Sequence, residues 1–495
     1  MRSYFDRALA PLRRQMLVHF GITVGNYVHM FSEERSLARI PEIFGQMFRW
    51  LEGDRPDPVR IPQWHGESSV RESPAMPPVS AAGQNGTAIP PPLPKPGTAA
   101  DPRRSAVLSA FNATRPVDRR KDLHGRDDKL ELLFDAVLDR DHHAVIHGAR
   151  GSGKTSLVRV FSDYADQCGA VMVYMACEER SSFAELLRPY LKFIPPSCVP
   201  MGEEQAFQDE VAALEEDFGP RALVQLLSRL HDCQLILILD EFDRVTNRAV
   251  QSEVATFMKL LSDALVPVQL AIVGIARSVT DVISCHPSLR RHLSAIPIGR
   301  IAAEDVRTLI DQGAQSCGLA FDEDSRSLIS SLSCGSPYHI RLFCNYAGLK
   351  AVKSDAQGVD ATIAIAGILD ATDNWARLNE EDHSLFIRLV RADQPVRDAL
   401  AAVARMAAQE DAIDIARLER QAGEAAGDAL HLLADALMPD GGEEGRLTFK
   451  DSIAPQFLLV LLAEADAALQ SRPEATRPLA LSRPHQGPRM GGAVA

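Results

Sequence analysis

Basic residues are in the minority in this chain of 495 residues: Lys and Arg number 53 against 66 Asp and Glu, a formal charge of −13. A protein that coats nucleic acid over its whole surface carries the opposite sign, so any nucleic-acid contact must be local. Cysteine is scarce, with eight in all, none before Cys168 and none in a CxxC pair. That argues against structural zinc and against a disulfide scaffold, and several cysteines sit in apolar runs, as Cys344 does in Leu342-Phe343-Cys344, which suits buried reduced thiols. No apolar run of ~18 residues occurs, and Met1-Arg2-Ser3-Tyr4-Phe5-Asp6-Arg7 is no secretory leader. Membrane spanning and secretion are disfavoured, and a cytoplasmic location is expected.

What is present is ordinary globular composition, 46% hydrophobic and 24% charged. At one domain per ~150 residues the length suggests about three units. Of the 31 prolines, twelve fall between residues 54 and 105, where Trp64 is the only aromatic. Such a stretch cannot offset the entropy of ordering its backbone, so residues 54–114 read as a flexible linker behind a helical segment, 1–53. From residue 115 to about 350, apolar runs of strand length alternate with helical patterns, which predicts a parallel sheet flanked by helices. The four expected strands are Ala144–His147, Val171–Ala176, Leu235–Leu239 and Val268–Ile275. Beyond residue 376 the pattern is mainly helical until Asp440-Gly441-Gly442-Glu443-Glu444-Gly445, a turn entering a short strand, Arg446–Lys450. Helices followed by a small hairpin predict a winged-helix-like unit over 376–470, with a disordered tail over 471–495.

Gly148-Ala149-Arg150-Gly151-Ser152-Gly153-Lys154-Thr155 satisfies G-x-x-x-x-G-K-[ST], the Walker A phosphate loop, between an expected strand and an expected helix. Glycines let backbone N–H groups approach phosphate oxygens, and the helix start, with Ser156 next in line, adds its positive dipole end. Lys154 suits the β- and γ-phosphates, and Thr155 can give a hydroxyl to Mg²⁺. Leu235-Ile236-Leu237-Ile238-Leu239-Asp240-Glu241 supplies the matching Walker B half: an apolar strand delivers two carboxylates to its C-terminal end, where the crevice of an open α/β sheet lies. Asp240 suits Mg²⁺, and Glu241 suits the general base that deprotonates the attacking water. ATP and Mg²⁺ are therefore the expected ligands.

These two stretches, Gly148–Thr155 and Leu235–Asp243, resemble the AAA+ class of P-loop ATPases, especially its origin-recognition/initiator-like branch and the neighbouring signal-transduction (STAND) ATPases. The resemblance spans roughly residues 115–350, and it implies a core over 115–300 and a helical lid over 301–375. Within it, Leu123-His124-Gly125-Arg126-Asp127 resembles the segment lying against adenine, which implicates His124. Val273–Ser278 resembles the sensor-1 strand end, with either Arg277 or Ser278 at its tip. His286–Leu293 resembles the segment that carries an arginine finger, with Arg291 the better match and Arg290 second; a basic surface pair is the plainer alternative. Ser333–Leu342 resembles the sensor-2 turn, where Tyr338 stands in the usual place of arginine and Arg341 is either its substitute or a solvated helix residue.

The resemblance implies ATP hydrolysis, a homo-oligomer in the ATP state, and one of two outputs. The first is action on DNA or a nucleoprotein complex. The second is a STAND-like switch that scaffolds protein partners with slow hydrolysis, through the N-terminal or C-terminal region. The stretch from Arg377 to Gln470 carries nine basic and eighteen acidic residues, a net −9, with Asp440, Glu443 and Glu444 in the presumed wing. Such a module repels phosphates and favours protein docking. Arg417 and Arg420 are interleaved with Asp414 and Glu419, as on a solvated face.

Overall fold

The computed structural model describes residues 101–179, 182–274, 287–440 and 444–470. The helical reading of 1–53, the linker up to residue 100, the sensor-1 candidates Arg277 and Ser278, and the tail lie outside them.

The first described element corrects the extent of the linker. Residues Pro102–Ala110 form a helix, α1, started by Asp101, whose side chain accepts from Arg103 N–H, and by Pro102 at the first turn. Val107 and Phe111, four apart on one face, are wholly buried in the lid core. The lid helix Ala303–Cys317 makes room at Gly313, where an added Cβ would lie 2.2 Å from the Phe111 ring. Proline density hid two apolar anchors among polar neighbours.

Five parallel strands form the central sheet: β1 (His143–His147), β2 (Val171–Ala176), β3 (Leu235–Asp240), β4 (Val268–Gly274) and β5 (Leu293–Pro297), in the order β2-β3-β4-β1-β5. β3 is buried along its whole length because both faces are covered. Leu235, Leu237 and Leu239 point into one core, and Ile236 and Ile238 into the other. Four strands fall where the apolar runs predict them. The fifth, β5, is a short edge strand with a single buried residue, Ile296, and its sequence LSAIP gives no apolar run to read. Helix α2 (Lys154–Gln167) follows β1 directly after the glycine loop and buries Leu157, Val158 and Phe161 against the sheet.

The lid consists of helices Ala303–Cys317, Glu323–Ser333, α3 (Pro337–Lys353) and Ala361–Leu378. The last helix runs across the expected border at residue 375. Its Trp375 stacks on Phe457 at 4.6 Å and on Phe386 at 5.7 Å between ring centres, so one apolar core continues from the lid into the C-terminal unit. That unit contains α4 (Gln394–Glu410), β6 (Ile413–Asp414), helices Ile415–Ala422 and Ala425–Leu432, then β7 (Leu437–Pro439) and β8 (Arg446–Phe449). β8 pairs antiparallel with both β6 and β7, and the helix Ala454–Gln470 closes the unit. Buried Arg397 on α4 is held by Asp466 of that helix at 2.8 Å.

The seven described cysteines are free thiols, four of them buried. Among the described residues, no helix is long and apolar enough to cross a membrane.

Candidate phosphate and metal site

β1 ends at His147 and the chain turns at once into the glycine loop, under the stretch that follows β5. The approach is close: a Cβ on Gly148 would lie 2.2 Å from the Ile298 carbonyl oxygen. On the other side the loop meets the lid. Gly151 has a left-handed backbone (φ 75°), its carbonyl accepts from Tyr338 N–H at 3.4 Å, and a Cβ there would lie 2.9 Å from that of Tyr338. Only glycine satisfies both the torsion and the contact at residue 151.

Lys154, at the start of α2, folds back over the loop and donates to the carbonyls of Gly148 (2.8 Å) and Ala149 (2.9 Å). Burial lowers its ammonium pKa, and the nearby carboxylates of Asp243, Asp240 and Asp411 oppose that. The next residue, Thr155, donates through Oγ1 to Asp240 Oδ2 at 2.8 Å. The two halves of the motif, 85 positions apart, thus meet at the C-terminal ends of β1 and β3.

Asp240 is nearly fully buried and has two further donors: Tyr174 Oη on β2 at 2.5 Å and Glu241 N–H at 2.8 Å. Burial, and then the bond to Asp240, push the Tyr174 phenol upward, so it stays a donor. Glu241 has a left-handed backbone (φ 54°) and an exposed side chain, paired with Arg244 at 3.0 Å.

These residues fit a phosphate ligand with a divalent cation. The Ser152 hydroxyl oxygen is buried without a partner, and the Ala149 N–H already donates to an anionic oxygen, that of Asp411, at 3.3 Å. Thr155 and Asp240 present the oxygen pair that Mg²⁺ takes. Arg150 lies exposed at the rim. Ser156 uses its hydroxyl to accept from Val117 N–H at 3.2 Å, tying the segment before the first strand to the start of α2.

A cleft continues from the loop, lined by Val117, Leu123, His124, Pro337, Tyr338 and Arg341. His124 is half-buried there, and burial, then the charge of Arg341, lower its pKa, which keeps the ring neutral. Arg341 differs from the solvated reading: it is half-buried at this cleft and donates to the carbonyls of Asp122 (2.9 Å) and Ala110 (3.4 Å). Tyr338 packs on Gly151 and joins lid to loop.

Arg290 and Arg291 are exposed in the single turn Pro287–Arg291, just before β5. Leu293 pairs with His143 at the start of β1, while the phosphate loop leaves β1 at its other end. Neither arginine can therefore serve its own chain's loop. Three groups at the site escaped the sequence reading. Tyr174 lies in an apolar strand, buried Arg126 donates to the carbonyls of Ser152 (3.0 Å) and Gly299, and Asp411 with its partner Arg300 comes from sequence far from either motif. No short-range signal announces such contacts.

Residues 108–333 match the family model described as Novel STAND NTPase 1. No curated protein sequence matches the chain. Among solved structures the fold is similar to the Walker-type ATPase paby2304 of Pyrococcus abyssi, at 17% identity and TM-score 0.43, covering 71% of this chain and 99% of that one. It is also similar to the ORC2 protein of Aeropyrum pernix in its ADPNP–ADP complexes, at 13% identity and TM-score 0.41, covering 73% and 98%. A third likeness is the RuvB Holliday junction branch migration motor of Thermotoga maritima, at 15% identity and TM-score 0.36, covering 67% and 95%. The stretch of the family match, residues 108–333, contains both the glycine loop and the acid at the end of β3.

Proposed function

We propose that this protein is an ATP-driven switch that hydrolyses ATP to ADP and phosphate. The observation that carries the reading is the meeting of Lys154, Thr155 and Asp240 at the C-terminal ends of β1 and β3, with an anionic oxygen already on a loop amide. Lys154 and the amides of Gly151–Thr155 would hold the phosphates, and the cleft at His124 the base. Mg²⁺, held through Thr155 and Asp240, would neutralise charge on the β- and γ-phosphate oxygens. Glu241, once released from Arg244, would accept the proton of the attacking water as the bond from the γ-phosphorus to the ADP oxygen breaks.

Arg291 suits a finger acting in a neighbouring copy, since it is exposed at the sheet end away from its own loop. That supports assembly as a homo-oligomer in the ATP state and a turnover rate that depends on it. Two outputs follow the same switch. The STAND family match and the −9 charge of residues 377–470 favour regulation of protein partners. The order helix, strand, two helices, strand, turn, strand in that unit supports a winged-helix-like fold, used here for protein docking. Action on DNA is the second output, resting on the resemblance to initiator ATPases.

ATPase assays with and without duplex DNA across a salt series separate the outputs. Absence of stimulation and of salt-sensitive binding removes DNA. In the same assay Lys154→Ala abolishes nucleotide binding, whereas Glu241→Gln keeps binding and loses turnover by ~10² or more. Normal turnover of Glu241→Gln would remove it as the base.

A further inference from the structure

Asp411 and Arg300 are charged groups at the phosphate loop that neither motif accounts for. Asp411 follows α4 in a left-handed backbone conformation (φ 61°) at the start of the C-terminal sheet. One of its carboxylate oxygens accepts from Ala149 N–H of the loop at 3.3 Å, and the other accepts from Arg300 Nη2 at 2.7 Å. Arg300 lies on the stretch after β5 that passes over Gly148. Its side chain is 9% exposed, and its Nε is buried without a partner.

The position along the loop matters. Lys154 is held at the carbonyls of Gly148 and Ala149, and the lysine of this motif serves the β- and γ-phosphates. Asp411 therefore stands at the γ end of the site, where its charge acts on Lys154, and the cleft at His124 leads away from it. A diphosphate leaves the place of Asp411 free. A triphosphate brings negative charge against this carboxylate in a partly buried setting, where like charges repel far more strongly than in water.

We propose that Asp411 and Arg300 form a latch that makes the site discriminate between a nucleoside diphosphate and a nucleoside triphosphate. The inference rests on the nucleotide-binding reading above. With a diphosphate the latch stays closed. A triphosphate expels Asp411, and Arg300 exchanges that carboxylate for oxygens of the terminal phosphate, two acceptors that suit the same guanidinium fork. Because Asp411 belongs to the C-terminal unit, its departure couples nucleotide state to release of that unit's contact with the loop.

Equilibrium titration of the full chain with mant-ADP and with a mant-labelled non-hydrolysable ATP analogue, both with Mg²⁺, tests the latch in wild type, Asp411→Asn and Arg300→Ala. Asp411→Asn raises the triphosphate-to-diphosphate affinity ratio about tenfold, within the usual range of coupling between sites. Arg300→Ala removes the cation that receives the terminal phosphate and does not raise the ratio. A pair that merely braces the fold leaves the ratio within twofold of wild type in both variants, and that result overturns the latch. Hydrogen exchange on the wild type reads it without a variant: protection around residues 411–414 falls with the triphosphate analogue but not with ADP. Equal protection with both nucleotides overturns it. If wild type binds neither nucleotide, the nucleotide reading itself fails and takes the latch with it.

Discussion

At the scale of single residues, the site is organised around how Asp240 is held. Its carboxylate accepts from Thr155, from Tyr174 and from the next backbone amide, so its orientation is fixed before any ligand arrives. Tyr174 is the least expected member. Its ring is kept in place by Arg159, whose guanidinium lies 5.3 Å from the ring centre, so loss of the hydroxyl alone need not move the ring. Tyr174→Phe removes one charge-assisted bond, worth ~1.5 kcal/mol or more, and raises the Mg²⁺ concentration for half-maximal turnover by roughly tenfold. A Mg²⁺ titration of turnover checks this; an unshifted midpoint would leave Tyr174 as a packing residue. The motif residues were legible because short spacing encodes them. Tyr174 and Arg126 were not, since a polar residue in a strand or loop says nothing about which distant partner it meets.

At the scale of elements, the apolar runs gave four of the five sheet strands: β1, β3 and β4 are buried in the middle of the sheet, and β2, at one edge, still carries the run VMVYMA. The other edge strand, β5, lacked such a run. α1 shows the converse: a helix inside a proline-rich stretch, held by two side chains four residues apart. Phe111→Ala should therefore cost about 3–5 kcal/mol, the usual range for emptying a buried aromatic site. Leu108→Ala, at a position 41% exposed, should stay within about 0.5 kcal/mol. Urea denaturation of the two variants beside wild type measures the contrast. Equal midpoints would mean that α1 does not contribute to the lid. The elements of the C-terminal unit were readable in type, but the apolar seam through Trp375, Phe386 and Phe457 that fuses them to the lid was not.

At the scale of the whole molecule, two histidines are buried neutral and couple stability to pH. Burial lowers His143 to about 4, where Nδ1 accepts from Leu270 N–H and Nε2 faces the Met258 carbonyl. Burial likewise lowers His339 to about 3, between Ser336 Oγ and the Ile453 carbonyl. Both folded values lie below the unfolded value near 6.5, so the unfolded chain takes up protons first as pH falls. Stability is full above pH ~6.5 and declines below it. At pH 5.5 each histidine costs about 1.4 kcal/mol, roughly 3 kcal/mol together. Denaturant unfolding at pH 8 and pH 5.5 reads the loss, and a flat profile would mean that neither ring stays neutral in the fold.

The chain by itself determined that a phosphate loop and a strand-end acid exist, that they sit on a parallel sheet, and that the C-terminal unit is acidic. Those properties live in local spacing, in periodicity and in composition. Only the tertiary structure decided that Arg341 donates to carbonyls of the segment before the first strand, and that Arg291 lies toward the sheet end opposite its own loop. It also decided that a carboxylate from residue 411 rests on the amide of residue 149. Each is a contact across a long loop closure, chosen by how the sheet, lid and C-terminal unit pack, and no short window of sequence records that packing.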